Sequence, residues 1–127
     1  MTTIFHVSDL HFGWPAVPEQ IDAIEQIIAA GKYDVVAISG DLSQRARAGE
    51  FQRAAAFIRD ARKVSRVITI PGNHDVKWWR APLGFGEKSK VYENYRRFID
   101  KDLEPVPMFR ARRSLASTLR TVSLDGR

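Results

Sequence analysis

Asp9, Asp41 and Asn73 lie 32 residues apart, and each closely follows a short apolar run. The runs are Ile4-Phe5-His6-Val7, Asp34-Val35-Val36-Ala37-Ile38-Ser39 and Arg66-Val67-Ile68-Thr69-Ile70. They are too short for helices and rich in β-branched residues. They give way to Ser8-Asp9, Gly40-Asp41 and Pro71-Gly72, as buried strands do where they run out into loops. Between them the period changes. From Pro18, Ile21, Ile24, Ile27 and Ile28 recur every three or four residues up to Gly31, which predicts an amphipathic helix with proline in its first turn and a glycine stop. Phe51, Ala54, Ala55, Ile58 and Ala61 repeat that spacing and predict a second helix over Glu50 to Val64.

Strand, helix, strand, helix, strand with short connections predicts an α/β fold, a βαβαβ unit of parallel strands joined by right-handed crossovers. The near-continuous apolar character of the middle run predicts a strand covered on both faces. One strand-helix-strand unit occupies about 30 residues, so each 32-residue step carries the chain to a neighbouring strand. The three loops past the strand ends then meet at one sheet edge, where open α/β sheets bind ligands. Beyond Asp75 the pattern weakens. Trp78 to Lys90, with Pro82, Gly84 and Gly86, reads as irregular loop, Val91 to Leu103 as a helix, and Thr118 to Leu124 as a fourth strand.

The chain has no cysteine, which excludes disulfide scaffolds, thiolate metal sites and thiol nucleophiles. Any metal must sit on His, Asp, Glu or Asn. No apolar run approaches the ~20 residues that span a bilayer, and the N-terminus lacks the look of a signal peptide, so the expected location is cytoplasmic. Residues 1–75 carry net −1 and residues 76–127 net +6. The basic excess, with Trp78 and Trp79, is compatible with a phosphate-facing or nucleic-acid-binding surface. Packing aromatics under a solvated charged face is the favoured reading.

Asp9 and His11 follow the first strand, Asp41 the second, and Asn73, His74 and Asp75 the third. Singly, Asp9 and Asp41 are also compatible with turn or N-cap roles. Six hard or borderline donors converging at one edge suit Mn²⁺, Fe²⁺ or Zn²⁺, and an Asp41 between two donor sets suits a pair of ions. His6, inside an apolar strand, is expected to be a packed core histidine without a functional role.

Asp9-Leu10-His11, Gly40-Asp41-Leu42 and Gly72-Asn73-His74-Asp75, in that order and each after a strand, resemble the D-x-H, G-D-x and G-N-H-D/E motifs of the calcineurin-like metallophosphoesterase family. Ser8-Asp9-Leu10-His11 and Gly40-Asp41-Leu42-Ser43-Gln44 look most like its cyclic-nucleotide phosphodiesterase branch. The resemblance implies a two-sheet sandwich flanked by helices, of which this chain would be the βαβαβ half. Residues 1–75 would be the motif-bearing core and 76–127 a basic loop, helix and strand of a single, incomplete domain. It implies hydrolysis of a phosphate ester or diester, a nucleotide among the candidate substrates, with two divalent metal ions. Carried over, Asp9 and His11 match ligands of the first metal, Asp41 the bridging carboxylate, and Asn73 a ligand of the second. His74 matches the histidine that meets the leaving oxygen, and Asp75 its orienting partner.

Family members carry further histidines in their second half, whereas the histidines here are His6, His11 and His74. That departure supports an N-terminal fragment lacking those ligands. It also keeps a non-catalytic interaction module on the same fold as the alternative, and self-association through uncovered apolar surface is a further expectation.

Overall fold

A computed structural model describes residues 1–14, 16–76 and 92–101. In chain order the elements are β1 (Ile4–Ser8), α1 (Pro18–Ala30), β2 (Val35–Ser39), α2 (Ala48–Ala61), β3 (Arg66–Thr69) and α3 (Glu93–Phe98). The strands form one parallel sheet in the order β1-β2-β3. Ile4 pairs with Val35 and Val35 with Arg66, a register that continues without a slip to Ser8 opposite Ser39 and Ile38 opposite Thr69. The equal spacing of the three polar strand ends in the sequence thus becomes alignment in space.

The chain is α/β as expected, with one difference in layering. The sheet grows in a single direction, and two right-handed crossovers in the same direction place both helices on the same side. Phe5 and Val7 of β1, Val36 and Ile38 of β2 and Val67 of β3 therefore pack with Ile28, Phe57 and Ile58 in one core. The opposite face, carrying Ile4, His6 and Ser8, is exposed on β1. β2 is covered on one face by helices, and on the other Val35 is buried while Ala37 and Ser39 are only half-buried. His6 is not a core residue: side chains alternate across a strand, and His6 stands on the open side with its Nε2 2.8 Å from Ser39 Oγ.

Local chemistry explains the helix boundaries. Pro18 opens α1, and the N–H of Gly31 closes it on the carbonyl of Ile27 at 2.9 Å. The Tyr33 ring lies where a Cβ of residue 31 would be, so glycine is required there for close approach. α2 begins at Ala48, two residues before the expected Glu50. Glu50 reaches back to accept from the N–H groups of Arg47 and Arg45 at 3.2 and 2.9 Å, satisfying donors that a helix start leaves orphaned. It ends at Ala61, and Arg62 to Val64 form a turn instead of a further helical turn.

Within the span Val91 to Leu103, the described helix is Glu93–Phe98, closed by the Ile99 N–H on the Tyr95 carbonyl at 2.8 Å. α3 packs on α2 through an edge-to-face contact of Tyr95 with Phe51, with centroids 5.9 Å apart. Asn94 Nδ2 donates to the Ala46 carbonyl at 2.8 Å. The expected loop over Trp78 to Lys90 and the expected strand over Thr118 to Leu124 lie outside the described residues. No helix among the described residues is long and apolar enough to cross a membrane.

Phe51 is fully buried and joins the sheet-covering helix to α3. Phe51→Ala is expected to cost about 3–5 kcal/mol, read as a fall in the urea unfolding midpoint. A loss below about 1 kcal/mol, typical of a surface substitution, would place this contact outside the cooperative core.

Candidate metal centre

Beyond the strands the backbones of the first two loops stay paired. The N–H of Asp9 donates to the Ser39 carbonyl at 3.1 Å, that of His11 to the Asp41 carbonyl at 3.0 Å, and that of Phe12 to the Leu42 carbonyl at 2.7 Å. To keep these bonds the chain adopts positive φ at Asp9 (57°), His11 (45°) and Gly40 (72°). Asp and His enter this region more readily than most side chains, so the D-x-H sequence suits the turn sterically as well as chemically.

The third loop is drawn in by Asp75. Its buried carboxylate accepts four hydrogen bonds, from the N–H of Leu42 (3.0 Å), the N–H and Oγ of Ser43 (2.6 and 2.8 Å) and the N–H of Gly72 (3.1 Å). Burial pushes the Asp75 carboxyl above the usual carboxylate range, and the four donors offset part of that shift. A Cβ on Gly72 would collide with Asp41 Oδ1, so glycine is what lets the third loop approach the second.

The result is a small cluster. His74 N–H donates to Asp41 Oδ1 at 2.8 Å, which leaves Oδ2 facing His11 Nε2 at 3.9 Å. The His11 and His74 rings are perpendicular, 89° apart with centroids at 5.4 Å. One ligating atom from each of His11, Asp41 and His74 lies within 4.8 Å of the others. His11 Nδ1 is buried without a hydrogen-bond partner among the described residues. The nitrogen of this ring that faces Asp41 is Nε2, not the buried Nδ1.

Of the six residues singled out in the sequence, the structure brings His11, Asp41 and His74 together. Asp9 stands exposed at the rim, 3.4 Å from the Asp41 main-chain nitrogen. Asn73 is also exposed. Asp75 is next to the cluster but does not hold the His74 ring. That ring is held by a group the sequence reading missed, the main-chain carbonyl of Gln44, 2.8 Å from His74 Nδ1. A carbonyl only accepts, so Nδ1 carries the proton and Nε2 is the other, acceptor nitrogen of the ring. Ser43, which anchors Asp75, was also missed. Its only signal was its place in Gly40-Asp41-Leu42-Ser43-Gln44.

A family model of calcineurin-like phosphoesterases matches residues 2–124. No curated protein matches the chain.

Replacing Asp75 by Ala orphans four donors at once, and each buried unsatisfied group costs about 1–3 kcal/mol. Asp75→Ala is expected to lose at least about 3 kcal/mol of unfolding free energy, measured by urea titration. Asp75→Asn should recover little, because its amide presents N–H groups to N–H donors. Full stability in the Asn variant would show that the carboxylate is not the tie between the loops.

Proposed function

Since the chain belongs to the calcineurin-like phosphoesterase family, whose name carries phosphoester hydrolysis, we propose that it is a metal-dependent phosphoesterase acting through Asp9, His11, Asp41, Asn73 and His74. The observation that carries this reading is the meeting of His11, Asp41 and His74 at the carboxyl ends of the strands. The donor set is imidazole and carboxylate oxygen without thiolate, which suits Mn²⁺, Fe²⁺ or Zn²⁺.

In this proposal Asp9 and His11 would hold one divalent ion and Asn73 a second, with Asp41 as a further carboxylate ligand. Bound ions would supply Lewis-acid polarisation of the phosphoryl group and hydroxide at neutral pH. The chain's own groups set the geometry. The His74 N–H fixes Asp41 Oδ1 and leaves Oδ2 free to face the centre. Bonded through Nδ1 to Gln44, His74 keeps its ring orientation whether or not Nε2 is protonated, and its Nε2–H form can donate to a leaving oxygen. A positioned general acid contributes typically 10²–10⁴-fold. The proposed substrate is a phosphate ester or diester, with nucleotides the class nearest the motif resemblance.

A second reading, a non-catalytic module on this fold, is favoured by the histidine count. Of the three histidines, His6 lies on the open sheet face, leaving two for the site.

Asp41→Asn is expected to abolish Mn²⁺-dependent hydrolysis of bis(p-nitrophenyl) phosphate while leaving the far-ultraviolet circular dichroism unchanged. Turnover equal to that of the unsubstituted chain would overturn the proposal. An inactive chain whose partner binding survives chelation would establish the second reading.

A further inference from the structure

The helical layer carries a cavity that the metal-centre chemistry does not use. It lies between α1 and α2 with a volume of about 520 Å³, and Ile28, Phe57 and Ala61, all buried, form its floor. Exposed Ala29 and Val64 stand at its walls. Each helix ends where the chain turns into the next strand, so Ala30 and Ala61 lie towards the strand starts. His11, Asp41 and His74 follow the strand ends, at the opposite edge of the sheet. A cavity of roughly 300–1,000 Å³ with an apolar interior and a few polar groups at its edge is the usual form of a small-molecule site.

The edge is acidic. Asp22, Glu25 and Asp60 border the cavity, and Lys63 is the one cation among its described lining residues. Lys63 Nζ lies 2.7 Å from Asp60 Oδ1, so this pair neutralises itself. Asp22 and Glu25 have no cationic partner among the described residues. Burial, with the charges of Asp22 and Asp60 beside it, pushes the Glu25 carboxyl above its usual range. α1 supplies both unpaired carboxylates and has no basic residue in its last turn, so the partial negative charge of its carboxyl end adds to theirs. Asp22, Glu25 and Ile28 stand three residues apart and share one face of the helix, which sets the charge in line with the apolar floor. Such a cavity repels an anion and gives a purely apolar ligand nothing for its carboxylates.

We infer that this cavity is a binding site for a small amphiphilic cation, an ammonium or amidinium carried on an aryl or alkyl body, with its charge at Asp22 and Glu25 and its body over Ile28, Phe57 and Ala61. No group of the metal centre takes part, so the site stands whether or not the chain hydrolyses phosphoesters.

The test titrates the full chain with 4-phenylbutylamine and follows ¹³C-methyl spectra. Saturable shifts are expected at Ile28, Ala29 and Val64 with a Kd of about 1 mM or tighter. The same body with the opposite charge, 4-phenylbutyrate, is expected to bind at least tenfold more weakly, and so is spermidine, which has charge without an aryl body. Replacing both carboxylates, Asp22→Asn with Glu25→Gln, is expected to bring the amine to within twofold of the butyrate. Equal binding of amine and butyrate by the unsubstituted chain, or no saturation at those methyls, overturns the inference. Shifts from spermidine as strong as those from the amine mark a plain acidic surface and overturn it too. Shifts given only by a basic amphipathic peptide overturn it in favour of a protein-docking groove. Because the comparison of amine with butyrate needs no substitution, misfolding of the variant does not obscure the result.

Discussion

The Asp75 carboxylate is the tie on which the geometry of the site depends. Three loops leave three parallel strands in the same direction, but loops at a sheet edge have no obligation to touch. Asp75, carried by the third loop, takes bonds from Leu42 and Ser43 of the second and from Gly72 of its own. That single buried group brings Gly72 against Asp41 and sets the His74 N–H on Asp41 Oδ1. Burial opposes its ionisation, and only a full complement of donors makes a buried carboxylate tolerable. The loops are thus locked by a group whose removal leaves several main-chain donors without partners.

The sheet supplies the other constraint, and much of it was legible in the sequence. Short β-branched runs against i, i+3, i+4 helical spacing identified β1, α1, β2, α2 and β3 within a few residues, because period and length are local properties. The open face of the sheet was not legible. The run Val35 to Ser39 reads as apolar throughout, yet Val35 is buried while Ala37 and Ser39 on the same side are only partly covered. Continuous apolar letters record low polarity. They do not record which face a helix covers, and that depends on the direction in which the sheet grows. The same limit explains His6, whose place in an apolar run says nothing about which side of the sheet it faces.

Of the candidate site residues named in the sequence, His11, Asp41 and His74 are brought together in the fold, and their connectivity was legible only in part. Asp9, His11, Asp41, Asn73, His74 and Asp75 stood out because side-chain chemistry is written in the sequence. The Gln44 carbonyl that orients His74 is not, since every residue has a carbonyl and its direction is a property of the folded loop. A charged neighbour of His74 in the sequence was the natural choice of orienting partner. In the fold that neighbour points at the opposite loop, and a neutral main-chain acceptor does the orienting. The bonds of Asp75 go to the Leu42, Ser43 and Gly72 donors that tie the loops together.

Backbone strain is concentrated where these loops meet. Asp9, His11 and Ala46 have φ of 57°, 45° and 51°, a region that costs a non-glycine residue roughly 1–2 kcal/mol. Each has a compensating bond: Asp9 N–H to Ser39, His11 N–H to Asp41 and Ala46 N–H to Ser43 Oγ. The first leads to Ser39, two residues before Asp41, the second to Asp41 itself, and the third to the serine that anchors Asp75. Strain of this kind persists only where surrounding contacts over-determine the conformation. Here the contacts that hold it are also the ones that aim His11, Asp41 and His74 at one another, so relaxing the backbone would disperse the cluster. The converging side chains are therefore preorganised by the loops themselves, which is what a site must have if it is to bind a cation without first rearranging.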